Sequence, residues 1–358
     1  MALSIPVVWS DRHRLHEPGG EIWVGVHTPG TELPERAERI RETLAEAGAR
    51  FVDAEPHPDD VALAVHDEEL LAYLAGAWKR WEAAGLTDDP GQERVVPYIF
   101  PHPGFVGDAP EHLAEAASAR AGQFAFDTMT LIGPGTWEAA RAALDAAVTA
   151  ADLVLEGAPA AYALCRPPGH HVTGTAFGGS CYLNNTAAAA ARLRSALDSP
   201  VAVIDVDAHH GNGAQSIFYE DPGVLTGSVH VDPGAGWFPH FMGFADETGT
   251  GEGDGANRNL PLAPGSGDEP WLEAIVELVR WATDAGVAAL VVALGVDAAG
   301  GDPESPLGVT SEGFRAAGRT LGALGLPTVV VQEGGYDLDA IGPLVLEALS
   351  GLEDGLPS

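Results

Sequence analysis

The chain has little positive charge, little sulfur and no long apolar run. Its 358 residues include one lysine, two cysteines and three methionines. Lysine and arginine together number 18 against 52 aspartates and glutamates, for a formal net charge of −34. Such a surface repels a nucleic-acid phosphate backbone over most of its area and favours cationic partners. The same acidity serves solubility equally well, for instance in a high-salt cytoplasm, and composition does not choose between the two. Cys165 and Cys181 form no metal-ligand pair by spacing and no disulfide framework. No apolar run approaches the roughly 20 residues of a membrane span, and Met1 to Trp9 reads as a short first strand without a basic leader. The expectation is a cytoplasmic protein with neither nucleic-acid nor membrane partner. With 46% apolar residues and no linker that demands a boundary, residues 1–358 are read as one domain with one large core. There is no internal repeat.

Several short apolar runs end in reactive-looking loops. Val201-Ala202-Val203-Ile204 leads into Asp205-Val206-Asp207-Ala208-His209-His210-Gly211-Asn212-Gly213. Read as a buried strand, it emerges with alternating side-chain directions, so Asp207 and His209 point to one side. An oxygen and a nitrogen ligand there suit Zn²⁺. Aspartate and histidine before glycine are also ordinary turn chemistry, but the pattern recurs. Residues 161–165 run into Arg166-Pro167-Pro168-Gly169-His170-His171, residues 289–294 into Gly295-Val296-Asp297, and residues 328–331 into Gln332-Glu333-Gly334-Gly335-Tyr336. In open parallel sheets, ligands bind beyond the carboxyl ends of the strands. Apolar periodicity predicts helices over 34–47, 136–155, 184–197, 269–285 and 311–324, and alternation with strands implies a parallel sheet flanked by helices. The Pro/Gly-rich stretches 97–107 and 249–267 read as functional loops bordering the pocket.

Arg166 to His171, Cys181-Tyr-Leu-Asn-Asn185, Asp205 to Gly213, Gly295-Val-Asp297 and Glu333-Gly-Gly-Tyr336 together resemble the histone deacetylases and acetylpolyamine amidohydrolases of the arginase–deacetylase fold. The resemblance spans nearly the whole chain. It implies an α/β single domain, a mainly parallel multi-stranded sheet with helices on both faces. Residues 34–40 resemble the family's first helix, with charges read as a solvated face. The resemblance implies one catalytic Zn²⁺ held by Asp207, His209 and Asp297. It pairs His170 with Asp205 and His171 with Asn212, where class I deacetylases carry aspartate. A neutral amide stabilises imidazolium less than a carboxylate does, which fits His171 as proton shuttle and His170 as its electrostatic companion. Tyr336 corresponds to the catalytic tyrosine that donates to the oxyanion. Cys181 matches a pocket cysteine and reads equally as a small packed hydrophobe. A monovalent cation, K⁺, is implied at main-chain oxygens of Asp205, Asp207 and His209 with the Asp205 carboxylate, the Ser228 hydroxyl and the Val229 carbonyl. A second such site is implied at backbone oxygens of Phe218, Asp221 and Val224.

The resemblance also frames the substrate. The family lines its acyl channel with two aromatics. Phe238 fits one, whereas the place after Gly179 holds Ser180, which widens or wets that wall. Glu304, seven residues beyond Asp297, stands where the polyamine-deacetylating branch carries an acidic gatekeeper. Residues 236–244, and Phe126-Asp127-Thr128 followed by Gly135-Thr136-Trp137, also look like acetylpolyamine amidohydrolases, whose extended loop restricts the pocket and builds dimers. His102, Glu111, His112 and Glu115 are candidate rim groups of that loop. The expected activity is removal of acetyl or a similar short acyl group from a small cationic amine, an acetylpolyamine foremost, by a homodimer if the loop serves as in those enzymes. The alternatives are a histone-type acetyl-lysine deacetylase and a hydrolase of another small amide. A binuclear ureohydrolase needs further carboxylates where Gly211 and Ala299 stand. A catalytically silent binding protein would be expected to lose a ligand, a histidine or Tyr336, and none is lost.

Overall fold

The apolar runs become the centre of one sheet. The computed structural model describes residues 3–110 and 112–357. Its strands in chain order are β1 (Val7–Trp9), β2 (Glu21–Trp23), β3 (Val26–Thr28), β4 (Phe51–Asp53), β5 (Ala160–Ala163), β6 (Val201–Asp205), β7 (Val224–Val231), β8 (Asn257–Leu262), β9 (Ala289–Leu294) and β10 (Thr328–Gln332). Eight of them form a parallel sheet in the order β4-β1-β5-β10-β9-β6-β7-β8, and β2 and β3 pair as a separate antiparallel hairpin. Parallel pairing requires long crossovers, supplied here mostly by helices.

Both faces of the sheet are covered, which is why its central strands are apolar throughout rather than alternating. Val201 and Val203 of β6 pack with helices Glu68–Ala83, Thr136–Leu155 and Asn185–Ala196. Ala202 and Ile204 face helices Pro34–Glu46, Asp268–Asp284, Ser311–Gly322 and Ile341–Gly355. The five predicted helices form within one or two residues of the expected bounds. At 184, the Asn184 side chain caps the helix start by accepting the Ala187 N–H at 2.8 Å, so the helix itself begins at Asn185.

The stretch 249–267 departs from expectation, since it contains β8 and lines no part of the catalytic cavity. β8 lies at the sheet edge, where Pro261 is tolerated because no neighbour needs its missing N–H. The stretch 97–107 contains the short helix Pro103–Val106 and reaches a neighbouring groove through Phe100. Among the described residues no helix is long and apolar enough to cross a membrane.

Candidate active site

Four adjacent strands, β5, β10, β9 and β6, deliver the four motifs at their carboxyl ends. Asp205 pairs with Ala293 and Gln332 with Leu294, so the chain leaves β6, β9 and β10 at nearly one level. Asp207, His209 and Asp297 meet there, with one ligand atom from each within 4.8 Å of the others. His209 Nδ1 lies 3.3 Å from Asp207 Oδ1 and 3.1 Å from Asp297 Oδ2. Backbone N–H groups orient the carboxylates, with Ala208 N–H donating to Asp297 at 2.8 Å and Gly334 N–H to Asp207 at 2.7 Å. Gly334 has to be glycine, because a Cβ would collide with both carboxylates. Burial and the neighbouring Asp207 push Asp297 up to about 7. Two fully buried carboxylates flank one imidazole, and an O, N, O donor set of this kind suits Zn²⁺. Among the described residues this is the one cluster of three such groups.

His170 and His171 lie side by side with ring centroids 4.0 Å apart, but their partners differ. His170 Nδ1 meets Asp205 Oδ2 at 2.9 Å, and His171 Nδ1 meets Asn212 Oδ1 at 2.7 Å. Burial opposes charge on His170, yet Asp207 and Asp205 outweigh it and push its pKa up to about 10. Burial holds His171 well below the usual histidine range, reinforced by His170 and His209. Glu333, quoted in the sequence without a role, fixes this turn by accepting N–H bonds from Gly169 and His170 at 2.6 and 3.1 Å and the Thr186 hydroxyl at 2.6 Å.

Tyr336 lines the same cavity as His171 and His209 and is half-buried. Burial raises its phenol pKa well above the usual value, so it stays a donor. Its loop is anchored by Arg36, where the expectation of a solvated charged face on 34–40 fails, although Glu35 and Arg39 are exposed as expected. Arg36 is buried. Its guanidinium donates to the carbonyls of Gly335 at 2.5 Å and Glu333 at 2.6 Å and to Glu32 at 3.0 Å, and lies 4.5 Å from the Tyr336 ring centroid. Arg166 donates to both Glu32 oxygens, at 2.8 and 3.0 Å. Burial opposes charge on Glu32, but Arg166, His16 and Arg36 together outweigh it and hold the carboxyl well below its ordinary range. The pattern of charges along 34–40 carries no sign of this long-range pairing.

The cavity encloses about 570 Å³. Phe238 packs its ring edge-on to His171 at 4.8 Å. Gly179 and Ser180 also line the cavity, and both have positive φ, 61° and 59°. A Cβ at Gly179 would strike the His171 ring. Met129, Trp23 and Trp237 line the cavity as well. Glu304 lines the cavity and accepts the Thr31 hydroxyl at 2.7 Å. Sequence reading missed Glu21, on the hairpin, which lines the cavity too. Burial pushes its pKa up to about 7, with Glu304 and Asp127 adding to the rise. A hairpin far along the chain from every motif gave no signal for it.

The other expectations fall differently. His102 is exposed and caps its own short helix through Gly104 N–H, and His112 and Glu115 are exposed; none lines the cavity. Glu111 lies outside the described residues. Cys181 is fully buried and packed in the core rather than lining the cavity. Of the implied cation ligands, Ser228 pairs in register with Asp205, and its hydroxyl lies 2.8 Å from His230 Nδ1. Asp205 is engaged by His170 and by Asp207 N–H. At the second place the carbonyls of Phe218 and Asp221 accept turn hydrogen bonds from Asp221 and Val224.

Comparison with known proteins agrees with this architecture. The histone deacetylase domain model matches residues 30–352. An acetylpolyamine amidohydrolase of Mycoplana ramosa is 40% identical over 347 residues, covering 97% of this chain and 99% of the relative. Acetylpolyamine amidohydrolase 1 of Pseudomonas aeruginosa is 40% identical over 354 residues, covering 97% and 98%. The crystal structure of an acetylpolyamine aminohydrolase from Burkholderia pseudomallei superposes with a TM-score of 0.92 at 36% identity, covering 99% of this chain and 100% of that one. With matches that run nearly end to end over a shared parallel-sheet fold, the chain belongs to the histone deacetylase family and is an amidohydrolase.

Proposed function

We propose that this enzyme removes acetyl or a similar short acyl group from a small cationic amine, an acetylpolyamine foremost, with one Zn²⁺ bound by Asp207, His209 and Asp297. The observation that carries the reading is that Glu21 and Glu304 line the same cavity as His171 and Tyr336, with no lysine or arginine in the lining. The names of its relatives point to the same substrate class.

Zinc, when bound, polarises the acyl carbonyl and makes water a stronger nucleophile. The chain supplies the rest. His171, held as a neutral base by burial and by the neighbouring His170 and oriented by the Asn212 amide, takes a proton from the attacking water as its oxygen bonds to the acyl carbon. The Tyr336 hydroxyl donates to the oxyanion that develops. As the carbon–nitrogen bond breaks, His171 returns the proton to the departing amine, leaving a carboxylic acid and a free amine that exchange a proton to give carboxylate and ammonium. His170, charged beside Asp205, stabilises the developing negative charge. Glu304 and Glu21 hold an ammonium of the substrate away from the scissile bond; a partly desolvated pair of this kind gains about 1–3 kcal/mol.

Turnover of acetylputrescine, acetylspermidines, acetyl-lysine peptides and uncharged acetamides of matched length is the test. The acetylpolyamines should lead. Equal turnover of the neutral acetamides would remove the polyamine reading, and preference for the peptides would establish the lysine deacetylase. Tyr336→Phe should lower kcat by about 10²-fold or more while elemental analysis finds metal content unchanged.

A further inference from the structure

Tyr336 follows two glycines, and Gly335 has φ 123°, a conformation other residues rarely adopt. Such a loop does not by itself fix the tyrosine hydroxyl. Arg36 holds the carbonyls of Glu333 and Gly335 ahead of it. The backbone on the tyrosine's own side is held by a different residue, Asp302, which is 8% exposed and lies between Asp297 and Glu304 in sequence. One Asp302 oxygen accepts the Tyr336 N–H at 2.7 Å and the Asp337 N–H at 3.2 Å. The other accepts the Glu304 N–H at 2.9 Å. A single carboxylate therefore joins the loop that carries the oxyanion donor to the loop that carries the cavity carboxylate. At their bases the loops share one backbone bond, from Val296 N–H to the Gly334 carbonyl at 3.1 Å.

We propose that Asp302 is a positioning residue that fixes the Tyr336 hydroxyl and the Glu304 carboxylate relative to each other, so that recognition of the amine and polarisation of the carbonyl share one strut. The proposal rests on the roles given above to Tyr336 and Glu304. All three groups facing Asp302 are N–H donors, so only an acceptor on both oxygens satisfies them. An asparagine offers one acceptor oxygen and turns an NH₂ group toward the remaining donors. It loses one of the two loops while keeping the side-chain shape.

The test is a double-mutant cycle on the metal-loaded enzyme, with Asp302→Asn, Tyr336→Phe and the pair, assayed on acetylputrescine and a neutral acetamide of matched length. Asp302→Asn should lower kcat about tenfold or more with metal content retained. In the Tyr336→Phe background it should change kcat less than about twofold, because it acts through the hydroxyl already removed. The preference for the charged substrate should fall with it, as Glu304 loses its anchor. Multiplicative effects of the two substitutions on kcat, or loss of metal with unchanged kcat per bound ion, would overturn the proposal. Asp302→Ser carries the same predictions if the asparagine variant folds poorly. A Tyr336→Phe enzyme with near-native kcat would instead sink the catalytic reading itself, so the two failures are distinguishable.

Discussion

Glu21 shows how one side chain can tune a pocket. Burial disfavours its charge, and Glu304, Asp127 and Glu32 add repulsion that the Thr31 N–H offsets only in part, leaving the pKa at about 7. Below that value the carboxyl is neutral and attracts an ammonium weakly; above it the charge is present and attraction is full. The ratio of kcat/KM for acetylputrescine to that for a neutral acetamide should therefore rise between about pH 6 and 8, by roughly threefold or more. Taking the ratio removes pH effects common to both substrates, such as those of His171. In Glu21→Gln the ratio should be flat, and a wild-type slope that survives the substitution would assign the titration to another group. Asn212 is the counterpart at the catalytic end, where a neutral amide in place of a carboxylate leaves His171 uncharged beside a charged His170.

At the scale of elements, the site is assembled by strand ends that bring backbone as well as side chains. Gly334 closes over Asp207 and Asp297 so tightly that its own N–H becomes one of the bonds orienting Asp207. Gly334→Ala should weaken metal retention by about 10-fold or more, read by elemental analysis after dialysis against a chelator. Full retention would mean that the loop yields without moving the ligands. The central strands and five helices were legible because double burial leaves unbroken apolar runs and single burial leaves a helical period. β7 was not legible. It is buried along its whole length, yet Thr226, Gly227, Ser228 and His230 interrupt its apolar pattern. Their polar atoms are satisfied from a distance, as with Thr226 to Asn257 at 2.7 Å, and no local pattern records that pairing. The same reason hid Arg36, whose carbonyl partners Glu333 and Gly335 lie 297 and 299 residues away. Strand alternation past β6 put Asp207 and His209 on one side, whereas Asp297 as their companion and the pairing of the two histidines followed from the family resemblance. Glu21, Thr31 and Asp302 could not be read, because the first two come to the cavity, and Asp302 to the Tyr336 loop, through tertiary contacts that no local pattern records.

At the scale of the whole molecule, a net charge of −34 surrounds a cavity lined by two carboxylates and no lysine or arginine. Diffuse attraction by the surface and close contact in the cavity both favour cationic substrates, but they respond differently to salt. Screening over about 10 Å at 0.1 M ionic strength removes the first and largely spares the second. The most direct test of the account is the ratio of kcat/KM for acetylputrescine to that for a neutral acetamide of equal length at moderate salt. It should be measured in the metal-loaded wild type and in the Glu21→Gln, Glu304→Leu double variant. The account predicts a ratio well above one in the wild type that falls by about tenfold or more in the double variant, with kcat for the neutral substrate little changed. An unchanged ratio in the double variant would contradict it, leaving the cavity carboxylates without a part in choosing the substrate.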